Sequence, residues 1–111
     1  MAWINKPTSV RRPTKSKYMY QKIYQDKRWK TIRDRRFIEN PVCQQCAENG
    51  MTAPTEEIHH IIRFSDSSDE REMQILAYTY TNTRSLCIMH HKYTHAHYKI
   101  DYELRQQLLG Y

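Results

Sequence analysis

Two short stretches decide the fold of this chain: residues 57–61 read Glu-Ile-His-His-Ile, and residues 82–91 read Asn-Thr-Arg-Ser-Leu-Cys-Ile-Met-His-His. The first lies in a run over 55–62 that predicts a strand, because it is rich in β-branched residues. The second passes from a turn at Asn82 into a predicted helix over about 88–98. Side chains alternate between faces along a strand, so the two adjacent histidines of the first stretch are expected to point in opposite directions.

The histidines of the second stretch indicate a metal site. His91 and His95 are four residues apart, so on a helix both imidazoles project from one face and can hold one ion. A third imidazole brought from the strand would complete a three-nitrogen site and leave coordination positions open. The alternative is that the pair belongs to an exposed polar helix face.

The cysteines form a second metal pattern. Cys43-x-x-Cys46 is followed, after a long insertion, by Cys87-x-x-His90. These four residues are the ligand types and spacings of a closed tetrahedral zinc site. The alternative makes Cys87 a buried core residue and Cys43 and Cys46 a redox pair, but the βαβ pattern that surrounds such redox pairs is missing.

The composition also favours a structural metal ion that stabilises the fold. Leu, Ile, Val and Phe make up 19 of the 111 residues, which is few for a core that folds by burial alone. Three cysteines cannot close into a complete set of disulfides. Residues 1–20 hold no apolar signal-peptide region, and no apolar run is long enough to span a bilayer. We therefore expect a reducing, intracellular compartment in which the thiols bind metal.

The positive charge is concentrated near the N-terminus. Between Arg11 and Arg36 the chain carries eleven Lys or Arg residues and only two acidic ones, and the net charge is +6. Such a block attracts polyanions and releases their counterions, although a solvated surface or a disordered segment would have the same composition. We expect residues 1–19 to be a basic, extended or disordered arm, followed by one domain over 20–111.

Other patterns predict further helices in an α+β domain. A helix over about 26–39 begins at the N-cap Asp26 and ends before Pro41, and its apolar side is expected to include Trp29, Ile32, Phe37 and Ile38. A loop over 65–72 leads to a short helix over about 71–78, and residues 78–81 are β-prone. A last helix over about 101–109 is expected to end at Gly110.

The two opening stretches resemble the HNH endonuclease family. The upstream segment, Tyr24-Gln-Asp-Lys-Arg-Trp29 through Asn40-Pro-Val-Cys43, is similar to the zinc-stapled members common in bacteriophages and prophages. The resemblance covers roughly residues 20–98. It implies a ββα-metal (His-Me finger) core, formed by a two-stranded hairpin and a helix, with a structural zinc knuckle and flanking helices.

The resemblance assigns a role to each motif position. His60 matches the general base, and Asn82 matches the residue that orients the loop and the base. His59 occupies a metal-ligand position, and His91 and His95 match the helical ligands of the colicin DNases. Cys43, Cys46, Cys87 and His90 match the structural zinc site, although phage relatives usually have a fourth cysteine where this chain has His90. Because His90 and His91 are adjacent, their two roles could be exchanged.

The resemblance further implies the ligands and partners. Three neutral imidazoles favour zinc, nickel or cobalt over magnesium, yet family members vary, so Zn²⁺, Ni²⁺, Mn²⁺ and Mg²⁺ all remain candidates for the catalytic ion beside a structural Zn²⁺. The implied partners are DNA and a phage protein such as a terminase, in a bacterial cytoplasm. Candidate phosphate contacts are Arg63 and Arg84 near the site and Arg33 and Arg36 on the basic helix.

The function expected from these residues is metal-dependent hydrolysis of DNA phosphodiester bonds. His60, whose ordinary pKa is close to neutral, would take a proton from water, provided that it faces the same phosphate as the metal site and is not buried among apolar side chains. One alternative is a non-catalytic zinc-ribbon-like module that binds nucleic acid. Another is a phage packaging or replication subunit with a degenerate nuclease core. The zinc-ribbon-like module gives no reason for the histidines and Asn82 to occur in HNH order, and for the degenerate core no expected catalytic position is missing.

Overall fold

The computed structural model describes residues 15–110, and the domain consists of six α-helices, two short 3₁₀-helices and one hairpin within that range. The helices and strands, in chain order, are α1 (Lys15–Gln25), α2 (Lys27–Glu39), α3 (Gln44–Glu48), β1 (Glu57–His60), α4 (Glu70–Tyr78), β2 (Thr83–Leu86), α5 (Ile88–Ala96) and α6 (Tyr102–Leu109). The 3₁₀-helices cover Phe64–Asp66 and Tyr80–Asn82. No helix among residues 15–110 is long and apolar enough to cross a bilayer.

The hairpin lies at the centre of the domain. β1 and β2 pair antiparallel, with His59 opposite Arg84 and His60 opposite Thr83. The connection between the strands is long and contains α4 and both 3₁₀-helices. The helix α5 begins directly after β2, so the chain forms the predicted order of strand, strand and helix.

Helix α2 begins and ends as predicted. The Asp26 carboxylate accepts a hydrogen bond from the Arg28 N–H at 2.8 Å, and Asn40 closes the other end. Trp29 is buried, as expected, but Ile38 is 80% exposed. The prediction for Ile38 was wrong because nine residues of an α-helix rotate by about 900°, which places Ile38 on the face opposite Trp29.

Three further elements differ from the sequence-based expectation. Residues 1–14 of the predicted arm lie outside the described residues, and its last five residues belong to α1 instead of an extended segment. The second strand occupies 83–86, after the β-prone run at 78–81, in which Tyr78 ends α4 and Tyr80 and Thr81 belong to a 3₁₀-helix. The short helix α3 begins directly after the first cysteine, because Cys43 Sγ accepts a hydrogen bond from the Cys46 N–H and caps the helix.

Two small clusters of buried residues hold the domain together. The larger packs α1, α4 and α6 around the β1–α4 connection, with buried side chains at Ile23, Ile62, Phe64, Met73, Leu76 and Ala77. The smaller consists of Leu86 and three cysteines, Cys43, Cys46 and Cys87. The smaller cluster has so little aliphatic surface that it needs a further source of stability, as the composition predicts.

Candidate metal centres and active site

Four side chains at the small cluster lie at the corners of a tetrahedron. Cys46 Sγ is 3.9 Å from Cys87 Sγ, and His90 Nδ1 is 3.6, 3.2 and 3.4 Å from the sulfurs of Cys43, Cys46 and Cys87. A tetrahedral zinc with Zn–S bonds of about 2.3 Å and Zn–N bonds of about 2.0 Å has ligand–ligand edges of roughly 3.5–3.8 Å. The donor set and its spacing therefore fit a structural metal ion.

The local structure explains why these four residues meet. Cys43 and Cys46 lie at the start of α3, and Cys87 is the residue before α5, so both ligand pairs sit at helix N-termini. Burial opposes ionisation of Cys43, but hydrogen bonds from the backbone at Cys46 and Cys87 and from His90 outweigh it and lower its pKa, whereas burial and the neighbouring thiols raise the pKa of Cys46. The cluster therefore favours one thiolate, a form that binds a cation.

Three other imidazoles converge beside the hairpin. His59 on β1 meets His91 and His95 on α5, and one nitrogen from each lies within 4.8 Å of the others. His91 Nε2 and His95 Nε2 are 3.1 Å apart, close to the edge of roughly 3 Å expected around an ion with 2.0–2.1 Å bonds. His59 is buried, whereas His95 is exposed, so one side of the cluster is open to a water or a substrate.

The environment keeps two of these imidazoles neutral. Burial, followed by the neighbouring histidines, lowers the pKa of His59 to about 3. Burial and the proximity of His91 and Arg63 also lower the pKa of His95. A metal binds the neutral form of imidazole, so the cluster fits a divalent ion at neutral pH.

The placement of His90 and His91 decides the question that the sequence left open. His90 joins the cysteines and His91 joins the histidine cluster, since adjacent residues on a helix point about 100° apart. A further residue, Glu57, was not foreseen. Its Oε1 lies 2.7 Å from His91 Nδ1, which donates the hydrogen bond. The lone pair of His91 Nε2 is then available to bind a metal. The sequence held one sign of this role: Glu57 lies two residues before His59 on β1, so both side chains are on the same face of the strand.

His60 points to the face of β1 opposite His59 and is 7% exposed. Its ring stacks 4.5 Å from Trp29 and meets the edge of Phe64, so it does pack against apolar side chains, contrary to the expectation of an exposed base. Burial lowers its pKa to about 4. The imidazole is therefore neutral at pH 7.

The hydrogen bonding of His60 fixes its tautomer, and the residue lines a cavity. Nε2 lies 3.0 Å from the Ala77 carbonyl oxygen, which can only accept, so the proton is on Nε2 and Nδ1 carries the lone pair. His60 lines a cavity of about 220 Å³ together with His59, His91 and His95.

Asn82 fixes the connection on which this geometry depends. Its side chain is fully buried, accepts from the Ile62 N–H at 2.8 Å and donates to the carbonyl oxygens of Ile62 and Leu76. Its own carbonyl accepts from Ile61. Asn82 thus ties the end of β1 to the end of α4, next to the Ala77 carbonyl that holds His60.

The four arginines singled out from the sequence have different environments. Arg63 lies over the Tyr98 ring, 3.8 Å from its centroid, and donates to the His95 carbonyl, so its guanidinium borders the histidine cluster. Arg84 pairs with Glu48 at 2.6 Å, and Arg33 pairs with Asp34 at 3.2 Å.

Arg36 does not fit its expected role as a phosphate contact. Its guanidinium donates to Thr83 Oγ1, Asn40 Oδ1 and the Tyr80 carbonyl, all within 3.0 Å. It lies about 20° from Trp29 around α2, on the inner face of the helix. The side chain therefore connects α2 to the hairpin.

A hairpin and a helix that gather three imidazoles, beside a knuckle of three cysteines and a histidine, define the ββα-metal fold of HNH endonucleases. The crystal structure of deep-sea thermophilic bacteriophage GVE2 HNH endonuclease with manganese ion shares this fold. The two structures superpose with a TM-score of 0.63 at 20% identity over 75% of this chain and 85% of that chain. No protein-family model and no curated protein matches the sequence. The predicted α+β, HNH-type fold is confirmed.

Proposed function

We propose that this chain is a metal-dependent endonuclease that hydrolyses DNA phosphodiester bonds. The observation that carries the proposal is the shared cavity: His60 and the three-imidazole cluster line the same space. The phage endonuclease with the same fold, whose crystals contain manganese, supports it. Cys43, Cys46, Cys87 and His90 would hold a structural Zn²⁺.

His60 would act as the general base. Its Nε2–H donates to the Ala77 carbonyl, so Nδ1 is fixed as the acceptor for a proton from water. Burial disfavours the imidazolium, but an anionic phosphate in the adjacent cavity would raise the pKa of His60 from the value in the free protein and so strengthen the base. The Asn82 side chain would hold the loop, and through it the ring, in place.

The histidine cluster would supply the electrophile. A divalent ion on His59, His91 and His95 supplies charge neutralisation for the phosphate and for the departing oxygen. The donor set favours zinc, nickel or cobalt, whereas the manganese of the structural neighbour keeps oxygen-preferring ions as candidates. Glu57 would keep His91 in the tautomer that presents Nε2.

Arg63 would contact the phosphate. It borders the cavity that His59, His91 and His95 share, and its buried Nε–H has no acceptor in the described part of the chain. An anionic oxygen at the mouth of this cavity would satisfy the charge of the guanidinium. The basic helices α1 and α2 would add sequence-independent attraction to DNA.

The test is nicking of supercoiled plasmid by protein that retains one zinc per chain and receives Zn²⁺, Ni²⁺, Mn²⁺ or Mg²⁺ separately. The matched variants are His60→Gln, whose amide can still donate to the Ala77 carbonyl, and Tyr102→Ala, which removes an exposed α6 side chain outside both clusters. We expect cleavage with at least one metal, a loss of about 10²–10⁴-fold in His60→Gln, and no loss in Tyr102→Ala.

Two results would overturn the proposal. Absence of cleavage with every metal, at protein concentrations that bind the plasmid, would favour a non-catalytic nucleic-acid-binding module. Retained cleavage by a folded, zinc-loaded His60→Gln variant would remove His60 from the mechanism.

A further inference from the structure

A groove separate from the histidine cavity runs between α3, the hairpin and α5. It has a volume of about 600 Å³, inside the range of roughly 300–1,000 Å³ that holds one small organic ligand and far too small to admit a DNA duplex. His59 lines both this groove and the histidine cavity, so the two spaces adjoin the same candidate metal ligand. A strand with its phosphate at the histidine cluster would pass close to the groove.

Two stacked rings form part of the groove wall. Tyr93 and His97, four residues apart on α5 and at its end, lie with their centroids 4.1 Å apart and their planes 25° from parallel. His97 Nδ1 donates to the Tyr93 carbonyl at 2.9 Å, which fixes the imidazole against the phenol. Tyr93 is 61% exposed, so this rigid aromatic pair contributes little to the core. A ring pair fixed in advance loses little entropy when a flat ligand stacks on it.

The other groove residues match the remaining parts of a nucleotide. Gln45 on α3 and Asn49, the residue after that helix, are hydrogen-bonded through Gln45 Nε2 and Asn49 Oδ1, which leaves Gln45 Oε1 and Asn49 Nδ2 as an acceptor and a donor. Arg84 and Lys99 give the groove positive charge, and Lys99 has no ion-pair partner among residues 15–110. Aromatic faces, amide edges and cations are the combination that binds single-stranded nucleic acid.

The geometry points to a nucleobase subsite. On this inference, which rests on the proposed nuclease function, a base next to the scissile phosphate leaves the helical stack and lies on Tyr93. Its polar edge faces α3, and its flanking phosphate faces Lys99. The substrate is then single-stranded or locally unpaired DNA, because a base inside a regular duplex cannot reach the groove.

The test measures binding and does not depend on cleavage. Zinc-loaded protein carrying His60→Gln is titrated with a short single-stranded oligodeoxynucleotide that contains one 2-aminopurine, and with the matching duplex. We expect Tyr93→Ala to weaken single-strand binding by roughly 5- to 150-fold, the range that one base–aromatic stack provides, and to abolish the quenching of 2-aminopurine. Tyr93→Phe keeps the ring and should keep both signals.

The control is Tyr102→Ala on α6, which removes a tyrosine that is 72% exposed and lies outside the groove. This variant should change neither the affinity for the single strand nor the affinity for the duplex. The inference is overturned if Tyr93→Ala binds single strands as well as the parent does, or if single-strand and duplex affinity fall equally. Plasmid cleavage by the wild type is scored separately, so a protein that stacks bases without cutting would remove the nuclease proposal and leave the subsite.

Discussion

Glu57 Oε1 accepts a hydrogen bond from His91 Nδ1 at 2.7 Å, and this contact joins β1 to α5 at the rim of the histidine cluster. Both residues lie near the surface, with the Glu57 side chain 47% exposed. A carboxylate in this position fixes the tautomer and the direction of a ligating imidazole.

The first prediction concerns this carboxylate. Glu57→Gln is expected to weaken binding of the catalytic ion by about 10- to 100-fold, because the amide holds the His91 tautomer less firmly. Calorimetric titration of Mn²⁺ or Ni²⁺ into protein that already holds one zinc measures it, with Glu103→Gln on the surface of α6 as the control. Equal affinities in the two variants would contradict a role for Glu57.

The second prediction concerns the cysteine knuckle. Cys87→Ser is expected to lose the structural zinc and to leave the domain unfolded at room temperature. A structural zinc contributes about 10–16 kcal/mol in small domains, which matches or exceeds a typical total stability of roughly 5–15 kcal/mol. Zinc content and thermal unfolding by circular dichroism measure this, with His97→Ala for comparison. A cooperative transition at the wild-type temperature would exclude a stabilising metal there.

The third prediction concerns Asn82. Replacement by alanine removes one acceptor and two donated hydrogen bonds in a fully buried position, so the free energy of unfolding should fall by roughly 2–5 kcal/mol. Urea unfolding measures the change, and the exposed Asn49→Ala serves as the control. Asn82→Asp retains the acceptor for the Ile62 N–H and should be less destabilised than Asn82→Ala if both remain soluble. Equal stability of Asn82→Ala and wild type would contradict this account.

The fourth prediction concerns pH. The folded-state pKa of His60 is lowered by burial to about 4, below its ordinary value of 6.5, so the unfolded chain binds the extra proton first as the pH falls. The stability that neutral His60 contributes is fully present above pH 6.5 and is lost progressively towards pH 4. Between pH 7 and pH 5, the free energy of unfolding of the wild type should therefore fall by roughly 2 kcal/mol more than that of His60→Gln.

Urea unfolding of both zinc-loaded proteins between pH 7 and pH 5 measures this difference. Protonation of the metal ligands affects both proteins, so it cancels in the comparison. Parallel pH profiles would mean that His60 is already solvated in the folded state.

The fifth prediction concerns DNA affinity. Binding should weaken steeply with salt, and Arg63→Gln should reduce the slope of log K against log salt by about one, as expected when one phosphate contact is lost. Arg36→Lys should leave the slope unchanged, because that guanidinium is bonded within the protein. A flat salt dependence in the wild type would remove the basic helices from the interface.

The sequence by itself determined the local elements and the ligand types. Helix α2 with its cap at Asp26, the strand that carries His59 and His60, and α6 ending at Gly110 follow from patterns that act within a few residues. The i, i+4 spacing of His91 and His95 and the paired cysteine knuckles likewise predicted which residues would meet. Such features depend on backbone geometry that neighbouring residues share.

Only the tertiary structure decided what surrounds those side chains. The pairing of Glu57 with His91, the packing of His60 on Trp29 and the bonds of Arg36 to Thr83 and Tyr80 each join residues more than 30 positions apart. The orientation of α5 between the hairpin and the knuckle directs His90 to the cysteines and His91 to the histidine cluster. Packing sets these relations, because a side chain's exposure and pKa depend on which distant elements cover it, and no local pattern in the sequence records that.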